Sequence, residues 1–254
     1  MKKRIFFLLL LLTLLAIPSL AAAAPAPGVP LIPSVDLQIG GGTGSPEETS
    51  TAVQLLLILT VLSVAPAILL LTTCFTRIVV VLSFVRNALG TQQMPPNQVL
   101  VGLALFMTFF IMGPTLAKVN ETAVQPYLQG QVSQQQALAA AAIPMKEFMA
   151  KQTRQKDLAL FLQYTKAEQP KTVQEIPLSV LVPAYVISEL KTAFQIGFMI
   201  FVPFLVIDMI VASILMGMGM VMLPPVMISL PFKILLFIMV DGWYLVVKSL
   251  LLSF

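Results

Sequence analysis

The sequence predicts an all-α protein associated with a membrane, and three observations support this fold class. Apolar residues make up 58% of the 254 positions and charged residues only 10%, which is outside the usual range of soluble globular domains. Long apolar segments recur along the chain and favour helices in or against a membrane. The polar residues are concentrated in one central stretch, so we expect helical hairpins in the membrane and one small helical domain outside it.

The composition also argues against several classes of function. The formal charge is +4, but Lys2, Lys3 and Arg4 supply three of these charges, so a surface that binds nucleic acid is not expected. Histidine, the commonest general base and metal ligand, is missing from the sequence. Cys74 is the single cysteine, which excludes an internal disulfide. We therefore expect no enzymatic activity, no cofactor and no metal site.

The first 24 residues predict a cleaved signal peptide. A basic segment at 1–4 precedes an apolar segment at 5–17 and the small residues at 21–24, which a signal peptidase accepts. An uncleaved membrane helix is the alternative, but the apolar segment is shorter than the ~20 residues of a span. Residues 25–44 are rich in proline and glycine and predict a flexible leader on the far side of the membrane.

Residues 45–114 predict the first helical hairpin. Ser45 and Glu48 form a capping box with proline at the first helical position, which indicates a helix N-terminus. The helix runs into the apolar segment 52–72, where we expect Pro66 to cause a kink.

The rest of this hairpin is predicted from turn residues. The apolar stretch 78–85 is too short to span a membrane and is expected to continue the first helix, which ends in the turn-rich segment 90–97. A second helix is predicted over 99–112 and is expected to stop at Gly113 and Pro114.

Residues 115–183 predict the polar helical domain. This stretch holds seven basic and five acidic residues, an alanine-rich run at 137–142 and a helical pattern over 145–169. Glu147 precedes Lys151 by four residues, the favourable orientation for a surface pair.

Residues 184–254 predict the second hairpin, with helices over 196–215 and 234–254. An even number of helices after a cleaved leader places both termini and the polar domain outside the cytoplasm. This topology places the connections at 77–97 and 216–231 inside, yet the polar domain carries more Lys and Arg than either of them. The positive-inside rule, which this distribution opposes, weakens for long segments, so we base the topology on the signal peptide.

Charged residues in or beside the apolar helices form one candidate site, because each is costly there unless paired or facing water. Glu189 and Lys191 are two positions apart and do not face each other on a helix. Lys191 and Asp208 are about 25 Å apart along a helix axis. We expect partners on another helix or another subunit for the candidate inter-subunit charges, which are Glu189, Lys191, Asp208, Lys233 and Asp241.

These charges are also consistent with two other interpretations. Glu189, Lys233 and Lys248 are equally consistent with side chains that lie at the membrane surface and extend to water. Asp208 and Asp241 invite comparison with an intramembrane aspartyl protease, but the string MVDGW lacks the glycine-flanked aspartate of such enzymes.

The methionine connection, residues 216–222, is the most unusual stretch. Its methionines alternate with glycine and valine, so they share a face if the backbone is extended. Flexible thioether side chains on a glycine-rich backbone make a deformable apolar surface that is suited to sealing a pore. Loose packing in a membrane core is the alternative.

Four long strings of the sequence resemble those of a known protein family. The strings PAYVISELKTAFQIGF at 183–198 and PFKILLFIMVDGW at 231–243 are similar to the two signature strings of the FliP family of flagellar type III export proteins. The strings RIVVVLSFVRNALGTQQ at 77–93 and PPNQVLVGLALFMTFFIMGP at 95–114 resemble the same family, so the similarity runs from about residue 52 onward.

The resemblance implies a function in protein export. Several copies, by resemblance a pentamer, would assemble in the bacterial inner membrane with two smaller membrane proteins of the FliQ and FliR families. This closed helical gate at the flagellar basal body would pass unfolded flagellar subunits and would contact membrane lipid. The cleaved leader favours the flagellar branch over the equivalent injectisome subunit.

The resemblance also implies that the methionine connection is a gasket around the channel, with Met220 and Met222 at its centre. Val221 stands where relatives often have another methionine, and Met218 adds one nearby, so the expected gasket is Met218, Met220 and Met222. An ion or proton channel is the alternative function, and it would place rings of charge on the pore.

Overall fold

The computed structural model describes residues 46–91, 93–165, 170, 172–220 and 222–254, and its described side chains begin at Leu55. Every regular element within these ranges is a helix, which confirms the predicted all-α class. The predicted signal peptide at 1–24, the leader at 25–44 and the capping residue Ser45 lie outside the described residues.

Nine α-helices occur in the described part of the chain, together with one π turn and one 3-10 turn. In chain order the elements are α1 (Pro46–Leu71), α2 (Phe75–Leu89), α3 (Asn97–Val119), the π turn (Asn120–Val124), α4 (Gln125–Leu128), α5 (Gln134–Gln152), α6 (Gln155–Thr165), the 3-10 turn (Val173–Glu175), α7 (Leu178–Gly217), α8 (Pro225–Met239) and α9 (Gly242–Leu252).

Four parts of the described chain have the length and apolarity of a membrane span. Asn97–Leu128 and Leu178–Gly217 qualify as single helices. The α1–α2 and α8–α9 pairs qualify if each is counted as one bent span.

The first hairpin has a sharp break after Leu71 that the sequence did not predict. Helix α1 starts at Pro46 as expected and passes through Pro66, but α2 is a separate helix at 68° to it. At the break, the Thr72 and Thr73 hydroxyls donate to the carbonyls of Ile68 and Leu70 at 3.0 and 3.2 Å. Such bonds offer the backbone an alternative to the helical ladder, so the expected continuous helix is wrong.

The second helix of this hairpin is longer than predicted. It passes through Gly113 and Pro114 and continues by way of the π turn to Leu128, so the predicted stop at these residues is wrong. A proline removes only one helical N–H, and the packing of α3 against α2 outweighs that loss.

The polar domain contains two helices where one was predicted over 145–169. Helix α5 ends before Thr153, which is extended at φ −85° and ψ 129°. Its start is fixed by Ser133 and Gln136, whose reciprocal bonds form a capping box. The predicted Glu147–Lys151 pair does not form an ion pair within the described residues.

The second hairpin departs from its predicted boundaries at both helices. Helix α7 starts at Leu178, so the predicted domain boundary at 183/184 falls inside it. The predicted single helix over 234–254 is wrong, because α8 starts at Pro225 and α9 turns away from it by 63°. Asp241 occupies the break in the left-handed region, at φ 51°.

The core lies where α2 packs between α7 and α3. Ile78, Val81 and Leu82 on α2 are fully buried, as is Ala193 on α7. Gly197 of α7 brings the two helices close, because a Cβ there would lie 2.6 Å from the ring of Phe84. The long α2–α7 contact therefore positions the charged residues that project from both helices.

Candidate functional site: two ion pairs and the methionine connection

The more deeply buried ion pair joins α2 to α7. Arg77 and Glu189 expose 1% and 0% of their surfaces. The Arg77 Nε donates to Oε2 of Glu189 at 2.9 Å, and its Nη2 donates to Oε1. The planar guanidinium suits this two-point contact, which a lysine would not reproduce.

The other nitrogen atoms of Arg77 connect two further parts of the chain. Nη1 donates to the backbone oxygen of Ser253 at 2.6 Å and to its hydroxyl at 3.1 Å, and Nη2 donates to Oε1 of Gln152 at 3.1 Å. The ring of Phe254 lies 3.9 Å from the guanidinium carbon, a cation–π distance. Gln152 also donates to the Phe254 backbone oxygen at 3.2 Å.

This set, which we call the Arg77 cluster, satisfies all five N–H donors that an arginine carries. It comprises Arg77, Gln152, Glu189, Ser253 and Phe254. A buried ion pair repays its desolvation only when its remaining hydrogen bonds are made, and here they are. The cluster therefore holds α2, α7, the end of α5 and the residues after α9 in one arrangement.

The second ion pair closes the α7–α8 hairpin. Lys233 Nζ lies 2.6 Å from Oδ2 of Asp208, and the Ser229 hydroxyl donates to Oδ1. Ser229 and Lys233 are four residues apart, so both project from one face of α8 toward α7. The Lys233 side chain is 3% exposed and that of Asp208 is 26% exposed.

Lys233 also reaches the end of α2. A Cβ on Gly90 would lie 3.8 Å from Nζ, and Gly90 ends α2 in the left-handed conformation at φ 71°. The carboxyl end of a helix carries partial negative charge that attracts a cation. Lys233 therefore links three helices: α7 through Asp208, α8 as its own helix, and α2 through the helix end.

The methionine connection begins as a capped helix end. The Gly219 N–H donates to the Met216 oxygen at 3.0 Å, and the Met220 N–H donates to the Leu215 oxygen at 2.9 Å. Gly219 has φ 74°, so these bonds form a Schellman motif with glycine at its left-handed position. An extended backbone is therefore not observed at Met216 and Gly217, which close the last turn of α7.

The methionine side chains project away from the rest of the chain. Met218 is 56% exposed, Met220 46% and Met222 97%. Leu223, Pro224 and the start of α8 follow directly. The connection thus presents a cluster of flexible apolar side chains at the end of the α7–α8 hairpin.

The structure places the predicted charged residues in two groups. Glu189, Asp208 and Lys233 have partners on another helix of the same chain, as their spacing suggested. Lys191 and Asp241 are exposed. Extension to water does not describe Glu189 or Lys233, because both are buried. Contacts between subunits stay a prediction for all five residues.

Sequence reasoning missed the residues that complete these pairs. In the sequence, Arg77 is only the polar residue before the apolar stretch 78–85, and Gln152, Ser229 and Ser253 belong to no predicted site. The available signal was an arginine near the start of one apolar helix and a glutamate within another. Nothing in the local sequence pattern indicates that they meet.

The amino-acid sequence matches the FliP family model over residues 58–250. The flagellar biosynthetic protein FliP of Bacillus subtilis (strain 168) is 66% identical over 212 residues, which are 84% of this chain and 96% of the relative. Proteins of the same name from Pectobacterium carotovorum subsp. carotovorum and Aquifex aeolicus (strain VF5) are 51% and 48% identical. These alignments cover 88% of this chain in both cases, and 89% and 92% of the relatives.

The matched range includes both ion pairs and the whole methionine connection. The four strings that resemble this family lie within that range, and the resemblance is confirmed. On its helical fold and on identity over most of its length, this chain belongs to the FliP family.

Proposed function

We propose that this chain is a core subunit of the flagellar type III export gate. Several copies, with membrane proteins of the FliQ and FliR families, form a closed conduit in the inner membrane for unfolded flagellar subunits. The family match over 58–250 and the name of the relatives, flagellar biosynthetic protein FliP, support this proposal. The polar domain lies outside the cytoplasm, and the conduit itself performs no chemistry.

Replacement of the relative tests the function directly. A Bacillus subtilis strain that lacks its own FliP protein is expected to regain motility and secretion of flagellar subunits when it expresses this chain. The relative itself and an empty vector are the two controls. If the chain reaches the membrane in normal amounts and restores neither secretion nor motility, the proposed function is contradicted.

The seal of the conduit is proposed at Met218, Met220 and Met222. Two observations support this position. The side chains are exposed, and they lie at the end of a hairpin whose two helices are joined by the ion pair of Asp208 and Lys233. A narrow apolar constriction excludes ions by dewetting, so flexible side chains suffice. Unbranched thioethers also adapt to varied passing chains.

Shortening all three methionines to alanine is expected to raise ion conductance several-fold across membranes that hold the assembled complex, because the apolar constriction widens. The matched control replaces the same residues with leucine, which keeps most of the volume and should keep leakage low. Secretion of a reporter subunit is measured in parallel. Unchanged conductance in an alanine variant that assembles normally would place the seal elsewhere.

An ion or proton channel is the less favoured function. Charges that line a water path should face that path, whereas Glu189, Asp208 and Lys233 are bound to groups of the same chain. The exposed apolar methionines agree better with a sealed conduit than with a selective ion path.

We also propose that Lys191 contacts a neighbouring subunit, because it lies exposed on an apolar helix and has no hydrogen-bond or ion-pair partner among the described residues. Lys191→Gln is expected to lower the fraction of assembled complex on native gels while leaving the unfolding of the single chain unchanged. Normal assembly of this variant would show that Lys191 does not contribute to a contact between subunits.

A further inference from the structure

A cavity of 250 Å³ lies between the end of α3 and the second half of α5. Pro114 and Lys118 line it from α3, and Glu147, Phe148 and Lys151 line it from α5. At about 30 Å³ per water molecule, this volume holds several waters or one phosphate group. Neither ion pair of the candidate site borders this cavity, and the proposed function does not use it.

The cavity lies at the level expected for a membrane surface. From Asn97 to Ala117 helix α3 has no charged residue, and at 1.5 Å per residue this run covers about 31 Å. The hydrocarbon core of a bilayer is about 30 Å thick, so Lys118 lies one membrane thickness from the start of α3. The helix changes to a π turn two residues later, at Asn120–Val124.

An apolar ridge on α3 leads directly into the cavity. Phe106, Phe110, Pro114 and Lys118 are spaced by four residues and form one ridge along the helix surface. Phe106 is 78% exposed and Phe110 75% exposed. The ridge is therefore hydrocarbon along its length and cationic at the cavity end.

The charge of the cavity is only partly balanced. Among the described residues, the ammonium groups of Lys118 and Lys151 have no hydrogen-bond or ion-pair partner. Glu147 is the single acidic residue in the lining, so one positive charge remains. Lys146, by contrast, donates to the Gln174 backbone oxygen at 2.9 Å and does not line the cavity.

We propose that this cavity and ridge bind an anionic phospholipid. The phosphate lies between Lys118 and Lys151, and an acyl chain follows the ridge past Phe110 and Phe106. A phospholipid matches both parts of the surface at once, because its phosphate is anionic and its chains are as apolar as the ridge. Free phosphate would use the lysines alone and would leave the phenylalanines exposed.

Native mass spectrometry of the full chain in detergent, with phosphatidylglycerol or phosphatidylcholine added, tests the proposal. Wild type should retain phosphatidylglycerol in preference to phosphatidylcholine. Each lysine near a membrane surface adds roughly fivefold to anionic lipid binding. Lys118→Gln/Lys151→Gln should therefore lower phosphatidylglycerol binding by about tenfold or more and leave phosphatidylcholine unchanged.

Two further variants separate the contributions of charge and chain. Lys146→Gln/Lys156→Gln removes the same charge from two positions of the polar domain outside the cavity and should leave lipid binding near the wild-type level. Phe106→Ala/Phe110→Ala should weaken retention of both lipids, because the acyl chain loses its contact.

Three results would overturn the proposal. Equal losses in the two double-lysine variants would mean a general charge effect. Displacement of the lipid by millimolar inorganic phosphate would assign the site to free phosphate. Equal retention of the two lipids by wild type would contradict an anionic lipid site and would indicate an acidic protein partner for the lysines. All three readouts are independent of secretion, so they do not depend on the export function.

Discussion

Glu189→Gln is expected to lower the free energy of unfolding by about 3–5 kcal/mol, because it leaves the buried Arg77 guanidinium without its counter-charge. The glutamine keeps the shape of the side chain, so the loss reports on charge rather than on a cavity. The measurement is denaturant or thermal unfolding of the purified chain in detergent. Lys191→Gln, two positions along the same helix and exposed, is the matched control and should stay within about 0.5 kcal/mol of wild type.

Replacing both charged residues separates the contribution of the ion pair to stability from that of the hydrogen bonds around it. Arg77→Met/Glu189→Met should be less damaging than Glu189→Gln alone, since a buried pair can often be replaced by apolar residues at little cost. Part of the loss should remain, because Gln152 and Ser253 also lose their donor. A Glu189→Gln variant as stable as the Lys191→Gln control would contradict the role assigned to the ion pair.

Gly197→Ala is expected to destabilise the chain by about 1–3 kcal/mol, although alanine is the better helix former. The added methyl group would lie 2.6 Å from Cγ of Phe84 and 3.0 Å from its Cβ, so the ring cannot simply rotate away. The two helices must separate, and α2 with Arg77 moves with them. Unfolding of the purified chain measures the effect.

Gly102→Ala on α3 is the matched control for this substitution. A Cβ at Gly102 would meet no described atom within 4 Å, so alanine there should stabilise the helix by roughly 0.5–1 kcal/mol. In a Phe84→Ala background the cost of Gly197→Ala should shrink, because the clashing ring is gone. Equal effects of the two glycine substitutions would show that the close α2–α7 contact does not limit stability.

The helices themselves were largely predictable, whereas their ends were not. Apolar composition and the long apolar runs predict an all-α chain, and turn residues place the end of α2 near Gly90 correctly. Pro114 was expected to end a helix and does not, because tertiary packing overrides the loss of one hydrogen bond. Asp241 was expected inside a helix, but its backbone is left-handed at φ 51°. The residue after it, Gly242, packs so closely against Phe237 that a Cβ there would lie 2.2 Å from the ring.

In the candidate site, features that depend on spacing along one helix were predictable, whereas those that depend on packing between helices were not. Spacing along a helix correctly predicted that Glu189 and Asp208 need partners on other helices. It could not identify Arg77, since that choice depends on how α2 packs against α7. In the methionine connection, alternation suggested an extended backbone, but Gly219 supplies the left-handed residue that a Schellman motif requires, and the helix therefore continues to Gly217.

The Arg77 cluster also determines which helices can pack together early and which only late while the chain is being synthesised. Arg77 precedes Glu189 by 112 positions and Ser253 by 176. At roughly 5–20 residues per second, the ribosome delivers the glutamate roughly 6–22 s after the arginine. Until then the guanidinium has no counter-charge and must stay in water or among lipid headgroups. Helix α2 therefore takes its final depth only after α7 has been synthesised, and the core between them forms late in insertion.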